Sequence, residues 1–385
     1  MRLLICPDSF KESLTAHEAA QAMAIGWRRV FPHAHCELVP LADGGEGTVS
    51  ALVAARAGEI RTQSVCGPLN TPVQASWGWL PAGSGLAVQA VIEMSAASGL
   101  HWVPMAQRDP RWTTSWGTGE LIRAALDAGA RELILGLGGS ATNDGGAGLL
   151  QALGAQLLDA HKQPIGLGAQ GLAQLHSIDL SRLDERLGQC QIKVACDVTN
   201  PLVGPEGASA VFGPQKGADE AMVAQLDQWL ARYGVLLEQA TGQTLMTRPG
   251  AGAAGGMGAA LAALGAELTS GIEWVMNAAG LAAKMHRADL VITGEGRLDG
   301  QTLQGKTPWG VAQLAGRHAV PVIGIAGSLG EGAEALYAHG FAGMIAAVQA
   351  PVEFNEALAN APAWVARAAE QAARLWQLGA VMKIK

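Results

Sequence analysis

Short apolar runs alternate with helical patterns along the whole chain, and this alternation restricts the fold more than any other feature. The apolar runs are residues 3–6, 37–39, 87–93, 132–136, 192–196, 290–293, 322–325 and 344–348. Short strands separated by helices are typical of parallel sheets with crossover connections. The sequence therefore predicts an α/β fold with mostly parallel sheets.

Local signals predict where several helices begin. Thr15 and Glu18 form the pattern of a capping box, which favours a helix from there to about Val30. Ser270 and Glu273 repeat this pattern before a predicted helix that reaches about Lys284. Pro308 suits the first turn of a further helix, because the N–H group that proline lacks would have no hydrogen-bond partner within the helix there.

The alternation of short strand, loop and helix at the start of the chain recurs only in the last hundred residues. The middle has more polar loops, a β-rich stretch at 65–93 and a long helical pattern at 219–239. We therefore predict a discontinuous first domain, residues 1–62 and 285–385, with a Rossmann- or flavodoxin-like three-layer arrangement. Residues 63–284 are predicted to form an inserted second α/β domain, and the sequence leaves the place of residues 113–154 open. Residues 3–6 should then share a sheet with residues 290–293 or their neighbours.

Composition excludes some classes of protein. A net charge of −7 offers no basic face for a nucleic acid backbone. The five cysteines are odd in number and show no CxxC or zinc spacing, so a reduced, cytoplasmic protein is expected. Residues 249–266 are uncharged but mostly Gly and Ala, which favours a loop and a small-residue helix over a membrane span. Small molecules are the expected partners, and a homo-oligomer is compatible with the sequence.

Five polar, mostly glycine-rich loops follow predicted strands, at residues 7–11, 42–47, 138–146, 196–201 and 293–299. Ligands of open parallel sheets bind at the carboxyl ends of the strands. Each loop alone also fits an ordinary turn that needs glycine and a helix cap. Together the loops predict a polar active cleft, which we expect between the two domains.

Phosphoryl transfer requires metal-binding carboxylates, cations on the phosphates and a carboxylate near the attacking hydroxyl, and these loops together with two further lysines can supply them. The acids are Asp8, Asp43, Asp197, Glu295 and Asp299, and the cations are Lys11, Lys216, Arg297 and Lys306. Each lysine taken alone also fits a solvated surface position.

The loop at 138–146 is the best predicted phosphate cradle. Gly138 and Gly139 allow backbone N–H groups to approach an anion, and Ser140, Thr142 and Asn143 add polar groups. We expect the loop to be exposed, so that replacing Ser140 and Asn143 would leave the fold intact. Asp144 fits either the cradle or an ordinary N-cap.

Two motif matches lack the expected context. Residues 300–307 fit the P-loop string, but the preceding strand should end near Thr293 rather than at the motif. Residues 250–255 fit G-x-G-x-x-G, yet Thr-Arg-Pro stands where a strand should be. Neither match is taken as a nucleotide fold, although Lys306 remains a candidate phosphate ligand.

Long ordered motifs make the chain resemble the bacterial glycerate kinases of glyoxylate, glucarate and galactarate breakdown. They lie at residues 7–14, 42–48, 113–121, 138–146, 196–202, 212–217, 249–257 and 294–297. The resemblance implies ATP and Mg²⁺ as cofactors, 2-phosphoglycerate as product, and a two-domain α/β fold that is not of the P-loop type.

Position and residue type then suggest roles that remain exchangeable within the set. Asp197 is assigned to the attacking hydroxyl, with Asp8 second and Lys11 nearby. Arg297 is assigned to the glycerate carboxylate, with Lys11 as the alternative, and Asp43 and Glu46 complete the substrate site. Glu295 and Asp299 are the predicted metal ligands. A third set binds nucleotide phosphates: Gly138, Gly139, Ser140, Thr142, Asn143, Lys216 and Lys306.

Two other classes stay open at this stage. A nicotinamide-dependent dehydrogenase would require residues 250–255 to bind a dinucleotide. A sensor of sugar acids would bind glycerate without forming ADP.

Overall fold

The apolar runs near the two ends of the chain form neighbouring parallel strands of one sheet. In the computed structural model, Leu3 is in register with Leu290 and Pro7 with Gly294. Both strands are buried along nearly their whole length, as in parallel sheets covered on both faces. The predicted pairing of residues 3–6 with residues 290–293 is therefore confirmed.

The structure describes residues 1–42, 45, 47–83 and 87–382. Asp43 and Glu46, two of the predicted substrate-binding residues, lie outside the described residues.

The chain divides into two compact units, Met1–Asp43 with Ile272–Lys385, and Gly44–Gly271. The elements of the first unit are β1 (Arg2–Pro7), α1 (Ala16–Arg28), β2 (His35–Leu38), α10 (Gly271–Ala278), α11 (Leu281–Met285), β11 (Leu290–Gly294), β12 (Arg297–Leu298), α12 (Thr307–Arg317), β13 (Val322–Ala326), β14 (Ser328–Leu329), β15 (Phe341–Ala346), α13 (Phe354–Ala359) and α14 (Ala361–Met382). The elements of the second are α2 (Thr48–Arg56), β3 (Glu59–Cys66), β4 (Pro72–Leu80), β5 (Gln89–Glu93), α3 (Ser95–Ser98), α4 (Trp116–Asp127), β6 (Glu132–Gly136), α5 (Ala147–Ala152), β7 (Gln156–Leu158), α6 (Ala169–Leu172), β8 (Ser177–Asp179), β9 (Gln191–Ala195), α7 (Ala208–Phe212), α8 (Glu220–Thr241), α9 (Ala253–Ala263) and β10 (Glu267–Thr269).

The main sheet of the first unit has the order β15-β13-β11-β1-β2, and its strands are parallel. The main sheet of the second unit has the order β10-β9-β6-β5-β4-β3. In this second sheet β10, β9, β6 and β5 are parallel, whereas β4 pairs antiparallel with both β5 and β3. The predicted α/β fold with mostly parallel sheets is confirmed.

Two of the predicted helix starts, at Thr15–Glu18 and at Pro308, are formed by the expected residues, whereas the Ser270 hydroxyl donates to Asp197. Thr15 Oγ1 accepts from the Glu18 N–H at 3.2 Å, and Glu18 Oε2 accepts from the Thr15 N–H at 2.9 Å. Asp219 caps α8 by accepting from the Met222 N–H at 2.8 Å. Pro308 lies in the first turn of α12. These contacts stabilise helix ends that local sequence alone could locate.

The segment predicted as one helix from residue 270 to 284 forms two, α10 and α11. Gly280 separates them with a left-handed φ of 62°, a conformation that glycine adopts without a steric penalty. The unit boundaries also differ from the predicted residues 62 and 285. Residues 59–62 belong to β3, which pairs along its length with β4, and residues 113–154 lie in the second unit. That the units are separate domains stays a prediction.

Neither nucleotide-motif match has the corresponding architecture. β11 ends at Gly294, and β12 and a 3₁₀ turn at Gly300–Gln304 separate it from Lys306. The glycine string at 250–255 follows a turn and overlaps the start of α9, inside which Ala254, Gly255 and Gly256 have positive φ. Within the described residues, no helix is long and apolar enough to cross a membrane.

Candidate active site

Adjacent strand ends in the first unit place Asp8 and Glu295 next to each other along the edge of the sheet. Pro7 and Gly294 are paired residues at the ends of β1 and β11, and the Asp8 N–H donates to the Gly294 carbonyl at 2.8 Å. Glu295 follows Gly294 directly. The expectation that polar loops converge at the carboxyl ends of parallel strands holds for this pair.

Asp8 is a buried carboxylate, with 8% of its surface exposed. Its Oδ2 accepts from the Thr307 hydroxyl at 2.5 Å, and its Oδ1 accepts from the Ser9 N–H at 2.6 Å. Thr307 is itself fully buried at the start of α12. Sequence reasoning missed Thr307, although it is the final residue of the discounted P-loop string.

Glu295 and Asp299 are linked through Thr302. The Thr302 hydroxyl donates to Glu295 Oε1 at 2.8 Å and accepts from the Asp299 N–H at 3.1 Å. Lys306 Nζ lies 3.6 Å from Glu295 Oε2, so this predicted phosphate ligand forms an ion pair with a predicted metal ligand. Among the residues that the structure describes, no cluster of three or more His, Cys, Asp or Glu side chains could enclose a metal.

Arg297 and Lys11 are accessible cations of the same unit. The side chain of Arg297 is 63% exposed, and its Nε lies 3.3 Å from Asp299 Oδ2. Lys11 is exposed on the turn after β1, and a Cβ added at Gly296 would lie 3.5 Å from the Lys11 backbone nitrogen. The two loops that carry these cations therefore run close together.

In the second unit, the loop after β6 is buried from Ser140 onward, which makes the prediction of an exposed loop wrong. Gly138 and Gly139 are exposed, but Ser140 is 8% exposed, and Thr142 and Asn143 are fully buried. Asn143 Nδ2 donates to the Ser209 hydroxyl at 2.9 Å. The burial arises from distant segments that pack on the loop, so a sequence window around it carries no sign of it.

Asp144 holds this loop together. Its carboxylate accepts from the Ser115 N–H and hydroxyl, both at 2.8 Å, and from the Gly146 and Gly148 N–H groups at 3.1 and 3.3 Å. Burial raises the pKa of Asp144, although these hydrogen bonds oppose the rise. Asp144 does not itself occupy the N-cap position of α5, which is Gly146, but its carboxylate accepts from N–H groups at the starts of α5 and α4.

Lys216 is 1% exposed, contrary to the surface position that a lysine usually has. Its Nζ donates to the Ser140 hydroxyl at 2.9 Å and to the Thr142 carbonyl at 2.6 Å. Burial lowers the pKa of Lys216 to about 7, and the charge of Asp144 acts in the opposite direction. The structure therefore brings Lys216 to the predicted cradle, with its ammonium group beneath Ser140.

Two oxygen atoms of the cradle have no hydrogen-bond partner among the described residues. They are Thr142 Oγ1 and Asn143 Oδ1, both enclosed by protein. Buried polar atoms are normally satisfied by protein or ordered water. A small polar ligand or a water molecule would satisfy these two.

Asp197 follows β9 and is exposed. Its Oδ1 accepts from the Ser270 hydroxyl at 3.1 Å and from the Gly271 N–H at 3.0 Å. The carboxylate therefore contacts residues 270 and 271 of the same unit, directly after β10.

The predicted residues thus fall into groups within each unit. One group lies around the ends of β1 and β11 and comprises Asp8, Lys11, Glu295, Arg297, Asp299 and Lys306. The other group consists of Ser140, Thr142 and Asn143 in the loop after β6, together with Lys216, which contacts that loop. Asp197 stands apart from the latter group, at the end of β9.

Comparison with known proteins gives one consistent result. A sequence profile described as the glycerate kinase family matches residues 3–377. "Glycerate 2-kinase" of Escherichia coli (strain K12) is 52% identical over 98% of this chain and 99% of its own. "Glycerate kinase" of Bacillus subtilis (strain 168) is 51% identical over 99% of each. A crystal structure from Salmonella typhimurium LT2, provisionally designated glycerate kinase 2, has a TM-score of 0.87 and 53% identity, and the match covers 98% of this chain and 99% of that one.

Proposed function

The chain belongs to the glycerate kinase family, and from this premise we propose that it transfers the terminal phosphoryl group of ATP to glycerate, forming 2-phosphoglycerate. The observation that carries the proposal is the match over residues 3–377, which spans all the polar loops described above. The named relatives are about half identical to this chain over nearly its full length, which supports the same substrate class.

The carboxylates of the first unit fit a magnesium-dependent reaction. Mg²⁺ prefers oxygen ligands and is usually held by one or two carboxylates together with substrate phosphates. Glu295 accepts from the Thr302 hydroxyl and the Asp299 carboxylate accepts from the Gln301 N–H, so one short segment carries the two carboxylates that such a site needs. When bound, Mg²⁺ would neutralise charge on the phosphate oxygens. We propose Glu295 and Asp299 as its ligands, with Lys306 positioned by Glu295 to contact a phosphate.

The loop after β6 is proposed to hold nucleotide phosphates. The exposed Gly138 and Gly139 offer backbone N–H groups, and Ser140 lies just beneath them. Thr142 and Asn143 are buried, so their contribution is to shape the loop rather than to face solvent.

The acceptor substrate needs a cation for its carboxylate and a base for its hydroxyl. Arg297 is the most exposed of the candidate cations whose contacts are known, and its planar guanidinium suits bidentate binding of a carboxylate. Lys11 is the alternative, and we retain Asp43 and Glu46 as proposed substrate contacts. Asp197 is proposed to orient the attacking hydroxyl and accept its proton, with Asp8 as the second choice because its two oxygens already accept hydrogen bonds.

The experiment that tests the function is a coupled assay of ADP release. Purified protein with ATP and Mg²⁺ is offered each glycerate enantiomer, glycolate, lactate and tartronate in parallel. We expect turnover with glycerate only, its loss on addition of EDTA, and its return with excess Mg²⁺. Turnover that survives EDTA would contradict the metal-assisted mechanism.

Three further readouts test the product and the alternative functions. In proton-coupled ³¹P spectra, a phosphate on the CH carbon of 2-phosphoglycerate gives a doublet, and one on a CH₂ carbon gives a triplet. Glycerate binding without ADP would indicate a sensor instead, and a nicotinamide absorbance change with glycerate would indicate a dehydrogenase. We also propose a cytoplasmic location, since all five cysteines are free.

A further inference from the structure

Arg108 is a half-buried cation with no role in the reaction as proposed so far. Its Nε is enclosed by protein and has no hydrogen-bond partner among the described residues. Its Nη1 donates to the Gln215 carbonyl over a long 3.4 Å. A guanidinium has five N–H donors, and within the described chain no carboxylate forms an ion pair with this one. Because a polar atom enclosed by protein normally has a hydrogen-bond partner, the unpaired Nε points to a missing acceptor.

Arg108 lies directly against the turn that carries Lys216. A Cβ added at Gly217 would fall 2.3 Å from the Arg108 carbonyl oxygen and 2.9 Å from its Cβ, and Gly217 has a left-handed φ of 98°. The guanidinium contact to Gln215 lies on the preceding residue. Arg108 therefore touches the residues immediately before and after Lys216, and only glycine permits so close an approach at 217.

Lys216 has the same deficit as Arg108. An ammonium group has three donors, and two of them are used on Ser140 and Thr142. The third has no acceptor among the described residues, and Asp144 attracts the ammonium group only from beyond ion-pair distance. Lys216, which is 1% exposed, and the half-buried Arg108 thus both retain unused donors, and the ammonium group of Lys216 contacts the loop after β6.

We propose that Arg108 and Lys216 form a two-cation subsite for the oligophosphate of the nucleotide, next to the backbone N–H groups of Gly138 and Gly139. The proposal deepens the proposed kinase function, since it rests on that function for the identity of the phosphate donor. A multiply charged oligophosphate matches two cations and a glycine loop, whereas the single charge of a carboxylate needs only one cation. Arg108 supplies the fork for two phosphate oxygens, and Lys216 adds a point charge.

The test is calorimetric binding of inorganic tripolyphosphate to the full chain, with glycerate as the second ligand. Arg108→Gln should weaken tripolyphosphate binding about tenfold or more, as expected for a lost charge-assisted pair. Arg108→Lys should lose less, because it keeps the charge without the fork. The control is Arg131→Gln: Arg131 also donates to one carbonyl, that of Ala130 at 2.8 Å, but lies at the opposite end of β6. The control should bind like wild type.

Several results would overturn the subsite. One is wild-type affinity for tripolyphosphate in Arg108→Gln, whatever its melting temperature, because Arg108 would then only clamp the 215–217 turn. A second is weakened glycerate binding with unchanged tripolyphosphate binding, which would assign the cations to the acceptor. A third is no binding of tripolyphosphate to the wild type. Should Arg108→Gln fail to fold, Arg108→Lys and Lys216→Met serve in its place.

Failure of this subsite is separable from failure of the kinase proposal. Tripolyphosphate binding requires neither glycerate nor turnover. Tripolyphosphate binding that depends on Arg108, in a protein that forms no ADP, would refute the kinase proposal and support the subsite. ADP formation with glycerate, in a protein whose tripolyphosphate binding does not depend on Arg108, would support the kinase proposal and refute the subsite.

Discussion

Replacement of Asp197 by asparagine separates a catalytic carboxylate from a structural one. In the structure, Asp197 Oδ1 accepts from the Ser270 hydroxyl at 3.1 Å and from the Gly271 N–H at 3.0 Å. Asparagine keeps an oxygen at that position, so both hydrogen bonds can persist. The substitution removes only the negative charge and the ability to accept a proton.

The expected magnitudes differ sharply between the two roles. Loss of a general base lowers kcat by about 10²-fold or more, which corresponds to about 2.7 kcal/mol of transition-state stabilisation. The free energy of unfolding should change by about 1 kcal/mol or less, because an exposed residue with its acceptor retained loses little. The KM for glycerate should change far less than kcat, since the carboxylate acts mainly in the transition state.

The assay is steady-state ADP release with glycerate varied, together with urea denaturation of each variant. Asp197→Ala is the comparator, because it loses both the charge and the contacts to residues 270–271. Ser270→Ala is the matched control, since it removes one donor and leaves the carboxylate in place. A kcat of the asparagine variant near that of the wild type would refute the catalytic role and transfer it to Asp8.

Three further predictions concern buried polar groups. For Lys216→Met, the wild type should gain stability relative to the variant as pH rises from about 7 to about 10, by at most about 1.4 kcal/mol per pH unit. The reason is that the unfolded chain keeps the proton that the folded chain releases, and parallel urea-denaturation profiles would refute it. Asn143→Ala should destabilise the fold by about 1–3 kcal/mol, and Ser140→Ala by less, because only Asn143 is fully buried; equal melting temperatures would contradict this. Thr307→Val should cost about 1.5–3 kcal/mol in urea unfolding, since it removes the donor to the Asp8 carboxylate, and an unchanged midpoint would show that this bond contributes nothing.

Local signals in the sequence were enough to predict most strands and helix starts. The apolar runs at residues 3–6 and 290–293 became paired strands, and Thr15 and Glu18 formed the capping box that their spacing predicts. These features depend on a few neighbouring residues and on burial of a continuous apolar run. The position of Asp8 and Glu295 at adjacent strand ends agrees with the rule that ligand-binding loops lie at the carboxyl ends of parallel strands.

Features that depend on distant segments could not be predicted in this way. The burial of Asn143 depends on Ser209, and that of Lys216 on the loop at 140–142, more than seventy residues away. Thr307 could have been predicted as a site residue, because it is the last residue of the motif at 300–307. That motif was considered only as a P-loop. The residues next to Arg108 in the sequence do not mark it as a ligand-binding residue. Its candidate role follows from the unpaired Nε in the folded protein.

The pairing of β1 with β11 also governs when this sheet can exist during protein synthesis. Register contacts join Leu3 to Leu290, so the amino-terminal strand leaves the ribosome long before its central neighbour is made. At ~5–20 residues per second, roughly 15–60 s separate the two strands. Throughout that interval β2 is the one strand of this sheet that β1 can pair with, and the backbone edge of β1 that later pairs with β11 stays open. We therefore expect nascent chains shorter than about residue 294 to depend on chaperones to hold this strand, and the Asp8 end of the active site to be among the last parts completed.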